Sequence, residues 1–155
     1  MFAQEHETVN SQLAPRIETY ACLDTRHKLR FELSQSFYFE AAHSLVRSCE
    51  VGSAEIEASR RIHGHTYIAH VTVSARPDPV TGMSVDLGIL RGHIGRVREL
   101  LDHRLLDAVP ALGPATLENL CLFIWRAMAA ELEGVTRVSV SRQVSGDSCV
   151  LDISR

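Results

Sequence analysis

The stretch "IHGHTYIAHVTVSA", residues 62–75, constrains the fold more than any other part of the chain. Apolar and polar residues alternate along it, the period of a strand with one buried face. His63, His65, Tyr67, Ala69, Val71 and Val73 share one face, and Thr66, Ile68, His70 and Thr72 take the other. His63 and His65 therefore project the same way, about 6–7 Å apart along the backbone, near enough for both rings to lean onto one ion. Gly64 between them allows close approach to the backbone. His70 points away from the pair.

An isolated histidine is most often a surface or satisfied core residue, and His6, His27, His70 and His93 are read that way. A histidine pair spaced by two on a strand is different, because imidazole is the commonest metal ligand and the spacing suits chelation. The pair does not say where a third ligand lies.

With 155 residues, 45% apolar and 23% charged, the chain reads as one domain with its own hydrophobic core. A net charge of −3 and the lack of a basic stripe argue against nucleic acid as a partner. No apolar run approaches the ~20 residues that span a bilayer, which argues against a membrane partner. The opening "MFAQEHETVNSQ" lacks the layout of a signal peptide, so a cytoplasmic location is expected. Cys22, Cys49, Cys121 and Cys149 are scattered without a C-x-x-C motif, the pattern of small buried hydrophobes.

The polar residues up to about 16 read as a loose arm, followed by a short strand in "IETYACL". "LRFELSQSFYFEAAH" alternates as a strand ending near His43, and Ser44 to Arg61, without an apolar face, reads as a loop with at most one helical turn. "RPDPVTGM" turns the chain into a short strand, "MSVDL". Leu87, Leu90, Ile94, Val97, Leu100 and Leu101 recur at three and four, predicting a helix. A second helix has Thr116 as N-cap, Glu118 in its first turn and an apolar stripe of Leu117, Leu120, Ile124, Met128 and Leu132, with Gly134 as its stop. "VTRVSVSRQV" and "SCVLDIS" bracket "SGD", a hairpin signature. Helices grouped between strand pairs predict an α+β fold with an antiparallel sheet covered on one face.

Chemistry gathers at "FEAAH", at "IHGH" and at "LLDHRLLD". These motifs, with "GMSVDL" and "TLENLCLFIW", stand in the order seen in the 6-pyruvoyl-tetrahydropterin synthase and 6-carboxytetrahydropterin synthase family, which the chain resembles over roughly residues 33–153. The resemblance implies an N-terminal extension over 1–30 and the family domain over 31–155. It implies the tunnelling fold: a four-stranded antiparallel sheet with two helices on one face, assembled as a homo-oligomeric barrel of three or six subunits. It also implies a pterin-like small-molecule substrate. His43, His63 and His65 match the family's zinc ligands, and a neutral three-histidine set leaves zinc its full charge to acidify bound hydroxyls. Asp102 and His103 match the acid–base pair, and Thr116 and Glu118 fall in the substrate-binding motif.

Two positions depart from the family. Where bacterial members carry a catalytic cysteine, this chain has Ser59, whose hydroxyl does not ionise near neutrality without a strong adjacent base. Glu57, at the cysteine position of animal members, and Glu55 are candidate replacement bases, with Cys49 a remote third. Where the family's last strands carry a glutamate that holds the pterin's amino edge, this chain has Arg142. A guanidinium only donates, so with Arg142 there the chain is expected to bind plain pterins poorly and to favour a ligand that presents acceptors. Two functions follow as expectations: a zinc-dependent lyase acting on dihydroneopterin triphosphate or a related substrate, or a non-catalytic zinc-bearing homologue that binds another small metabolite.

Overall fold

A computed structural model describes residues 29–46 and 52–153. The arm, the strand expected at "IETYACL", His6, His27, Cys22 and Cys49 lie outside the described residues. The chain runs β1 (Phe31–His43), α1 (Ser53–Arg60), β2 (His63–Ala75), α2 (Leu87–Leu101), β3 (Arg104–Leu105), a 3₁₀ turn (Leu106–Ala108), α3 (Leu117–Ala129), β4 (Val135–Arg142) and β5 (Asp147–Asp152). The sheet order is β3-β1-β2-β4-β5. No helix among the described residues is long and apolar enough to cross a membrane.

Alternation fixes the long central pair. β1 and β2 lie antiparallel with Phe39 opposite Tyr67, Ala41 opposite His65 and His43 opposite His63. Phe37, Phe39, Ala41 and His43 are buried while Ser36, Tyr38 and Glu40 between them are exposed. The Phe39 and Tyr67 rings stack with centroids 4.9 Å apart, worth about 0.5–1.5 kcal/mol beyond simple burial. Over this face lie Leu90, Ile94, Val97 and Leu101 of α2 and Leu120, Cys121, Ile124 and Met128 of α3. α2 packs on β1, and α3 on β4 and β5. Burial pushes the Cys121 thiol up to about 12, so it packs as a small apolar group.

Four local expectations are corrected. The segment 44–61 contains α1, which has only Ser59 buried and so carries no apolar stripe to betray it. "MSVDL" is not a strand: Met83 gives its carbonyl to the Asp78 N–H within the connection, and Asp86 turns away to cap α2 by accepting from Gly88 and Ile89. The sheet has a fifth strand, the two-residue β3, which runs parallel to β1 beside Ala41 and Ala42. α3 ends at Ala129 rather than near Gly134.

Gly134 has a different task. Its φ is +79°, its carbonyl accepts from the Ser74 N–H, and an added Cβ would lie 2.6 Å from the Ser74 carbonyl oxygen. Gly134→Ala is therefore expected to lower stability by about 2–4 kcal/mol, through left-handed strain plus a backbone clash that cannot relax cheaply. The urea midpoint would show it, and an unchanged midpoint would mean that the loop rebuilds.

Candidate metal centre and adjoining cavity

Antiparallel register brings together histidines that lie 20 or more positions apart. His43 ends β1 directly opposite His63, which begins β2, and His65 follows on the same face. The ring centroids are 4.6 Å apart for His43–His63, 5.2 Å for His43–His65 and 4.9 Å for His63–His65. One ligand nitrogen from each ring lies within 4.8 Å of the others, a set able to hold a metal ion.

The donor set fits a metal. Both ring nitrogens of His43 are buried without a hydrogen-bond partner, a costly state that coordination would relieve. Burial, with the nearby His63, His65 and Arg142 charges, brings the His43 imidazole down to about 4, so it is neutral at pH 7, as a ligand must be. His65 is shifted the same way, by burial first and then by Arg142. His63 Nδ1 lies 2.8 Å from the Arg61 carbonyl, an outer bond that leaves Nε2 for a metal. A metal would be held by one nitrogen from each of His43, His63 and His65, with the rings leaning inward onto it.

Asp102 and His103 come to the same end of the sheet by way of β1. His103 donates its N–H to the Glu40 carbonyl at 2.6 Å, and Glu40 donates its own N–H to Asp102 Oδ1 at 2.9 Å. Arg98 holds Oδ2 at 2.9 Å, and His103 Nε2 stands 3.9 Å from Oδ1. The Glu40 N–H keeps the Asp102 carboxyl below the usual carboxylate range, with the Arg98 and His103 charges adding to it. His103 adopts a left-handed φ of +56°, a conformation held in place by these contacts. An open groove of about 560 Å³ is lined by His103, Arg104, Glu40, Gly64, His65 and Thr66.

A second cavity, about 280 Å³, is bounded by Tyr67, Thr116, Glu118, Arg142 and Asp147 among others. Thr116 caps α3 by accepting from the Asn119 N–H. Arg142 Nη1 lies 3.2 Å from His65 Nε2, so this cavity adjoins the three histidines. Ser59 and Glu57 lie on α1, which the Leu45 N–H ties to the stretch after His43 by donating to the Ser59 carbonyl at 2.8 Å. Ser59 is buried and donates its hydroxyl to the Glu55 carbonyl at 2.8 Å, while the exposed Glu57 pairs with Arg61 at 3.2 Å.

Two acidic residues escaped the sequence reading. Asp107 accepts from both the N–H and the hydroxyl of Ser44, at 2.8 and 3.0 Å, and so pins the residue that follows His43. Burial pushes its carboxyl up, but the Ser44 bonds outweigh this and hold it below the usual range. Asp107 stands in the quoted "LLDHRLLD", where its spacing from Asp102 gave no reason to single it out. Asp147 accepts from Arg142 at 2.7 Å and lay hidden inside the turn signal "SGD".

The family model described as 6-pyruvoyl tetrahydropterin synthase matches residues 32–151. The 6-pyruvoyl tetrahydrobiopterin synthase of Poecilia reticulata is 45% identical over 74 residues, 45% of this chain and 50% of that protein. The Homo sapiens protein of the same name is 39% identical over 67 residues, 41% of this chain and 46% of that protein. These matches thus span about half the length of the curated relatives. The solved Caenorhabditis elegans 6-pyruvoyl tetrahydropterin synthase superposes with a TM-score of 0.67 at 22% identity, over 80% of this chain and 96% of that one. A Plasmodium vivax 6-pyruvoyltetrahydropterin synthase, in which a catalytic glutamate is replaced by cysteine, gives 0.59 at 17% identity, over 81% and 99%. At these identities the likeness carries the fold, an α+β tunnelling fold.

Proposed function

The chain belongs to the 6-pyruvoyl tetrahydropterin synthase family, and from that premise we propose that it is a zinc-dependent lyase acting on dihydroneopterin triphosphate or a closely related pterin. The observation that carries this reading is the convergence of His43, His63 and His65 at the end of the sheet where an Asp102–His103 element is hooked onto β1 at Glu40. Zinc, when bound by the three imidazoles, supplies Lewis acidity to the hydroxyls of a substrate side chain. The rest falls to the chain's own groups. Thr116, Glu118 and Arg142 border the cavity that would take the ring, and Asp102 and His103 border the route to the metal centre, where they move protons. Asp102, fixed by Glu40 and Arg98, sets a carboxylate 3.9 Å from the His103 ring.

Zinc-loaded protein incubated with dihydroneopterin triphosphate should release triphosphate and a shortened or rearranged pterin, read by mass spectrometry. Substrate recovered unchanged would remove the lyase reading. It would favour a zinc-bearing homologue that binds a metabolite without turnover. One observation speaks for this second reading: Ser59 spends its hydroxyl on a helix carbonyl and Glu57 is paired with Arg61, so α1 presents no prepared nucleophile through either.

The assembly belongs to the same proposal. Helices cover one face of the sheet, while Tyr38, Glu40, Thr66 and His70 on the other face are exposed in the single chain. A trimer or hexamer joined through sheet edges would bury that face. Sedimentation at micromolar concentration should show a species of at least three subunits. A lone 17.2 kDa species would count decisively against the barrel.

A further inference from the structure

The register pairs Val138–Leu151, Val140–Cys149 and Arg142–Asp147 share one face of the β4–β5 hairpin, so Arg142 and Asp147 close its end side by side. The turn that sets them is fixed by Gly146, with φ +76° and its N–H donating to the Arg142 carbonyl at 2.9 Å. Asp147 Oδ2 accepts from Arg142 Nη2 and from the Ser145 hydroxyl, both at 2.7 Å, which leaves Oδ1 available to a ligand. Two further polar atoms on the same cavity are buried and without a partner: the Tyr67 hydroxyl, on a residue only 1% exposed, and Arg142 Nε. Buried polar atoms left in this state mark a place where a polar ligand belongs. Glu118 borders the cavity too, but its carboxylate bends back to its own N–H and the Thr116 hydroxyl.

We propose that Asp147 receives the donor edge of the bound ring, its 2-amino group and adjacent N–H, while Arg142 beside it donates to the ring's acceptor atoms. The inference rests on the pterin reading above and names the residue that sets specificity within it. Arg142 alone would meet two donors with donors. Paired across the hairpin with a carboxylate, it forms a surface offering donors and an acceptor together, the complement of a 2-amino-4-oxo heterocycle. The carboxylate that Arg142 displaces from the end of β4 is thereby supplied from the start of β5.

The test titrates neopterin, and its counterpart with the 2-amino group replaced by oxygen, into the zinc-loaded full chain with fluorescence readout. Wild type should prefer neopterin. Asp147→Asn should weaken neopterin binding roughly ten- to hundredfold and collapse the preference, because the oxo compound turns a carbonyl toward the carboxylate and keeps only the ring N–H to donate to it. Asp147→Glu should keep the preference, which separates a lost acceptor from a damaged hairpin. Arg142→Glu should bring no gain, since it sets a second carboxylate against Asp147. An unchanged preference in Asp147→Asn, or a tenfold gain in Arg142→Glu, would overturn this assignment and leave the pterin reading standing. Failure of wild type to bind either compound would end both.

Discussion

Replacing His63 and His65 together by alanine is expected to bring bound zinc from about one per chain to near zero. The two rings enter the site from one face of β2, spaced by two, and meet His43 across an antiparallel pair. With both gone, the single remaining imidazole cannot compete with water for a divalent ion. The backbone has little reason to change, because both residues stand at the start of β2, outside the apolar cluster that begins on that strand at Tyr67. Added zinc at a hundredfold excess over its dissociation constant should stabilise wild type by about 2.7 kcal/mol. That raises its melting temperature by roughly 10 °C and should leave the double variant unmoved. Metal analysis of the purified proteins is the direct measurement. Zinc retained at full stoichiometry in the double variant would remove the three-histidine centre, and with it the Lewis-acid part of the proposed reaction.

How far the sequence carried this reading depends on the range of the contacts involved. His63 and His65 are legible because their relation is local: strand geometry alone puts them on one face. α2 and α3 are legible for the same reason, their stripes of Leu90, Ile94, Val97 and Leu101 and of Leu120, Ile124 and Met128 being written at three and four. α1 escaped because a helix that buries only Ser59 has no stripe to read. β3 escaped because two residues of parallel pairing arise from where α2 delivers the chain, not from any propensity of Arg104 and Leu105. "MSVDL" misled because its alternation was outweighed by Asp86, whose side chain serves the next helix instead of a sheet. Asp107 and Ser44 lie 63 positions apart and meet only through the sheet, so no local pattern announces them. Arg142 was read alone because the sequence places Asp147 beyond a turn, while the register sets it directly alongside. The third histidine, His43, came from the motif that ends its strand. Its burial and its two orphaned nitrogens supply the physical reason that it fits a metal site.

Asp102→Asn should cut turnover of the pterin substrate by roughly 10²- to 10⁴-fold while zinc content and substrate affinity hold. Asparagine matches the shape, and its amide oxygen can still accept the Glu40 N–H that Asp102 Oδ1 accepts at 2.9 Å. What disappears is the negative charge, together with the acceptor facing Arg98 at 2.9 Å. His103 should stay where it is, since its place is set by its left-handed backbone and its own N–H bond to the Glu40 carbonyl rather than by Asp102. The variant thus separates charge from position. The carboxylate 3.9 Å from the His103 ring brings a negative charge to the proton transfer, and its neutral replacement does not. His103→Gln should cause a fall of similar size, and the double variant should be little worse than either single one, because two groups serving one proton transfer do not add. Single-turnover rates measured beside equilibrium binding would distinguish this from a lost ring contact, which would move affinity first. If Asp102→Asn turns over within threefold of wild type, Asp102 is a tie between β1 and α2, and the proton transfer belongs to other groups at the zinc centre.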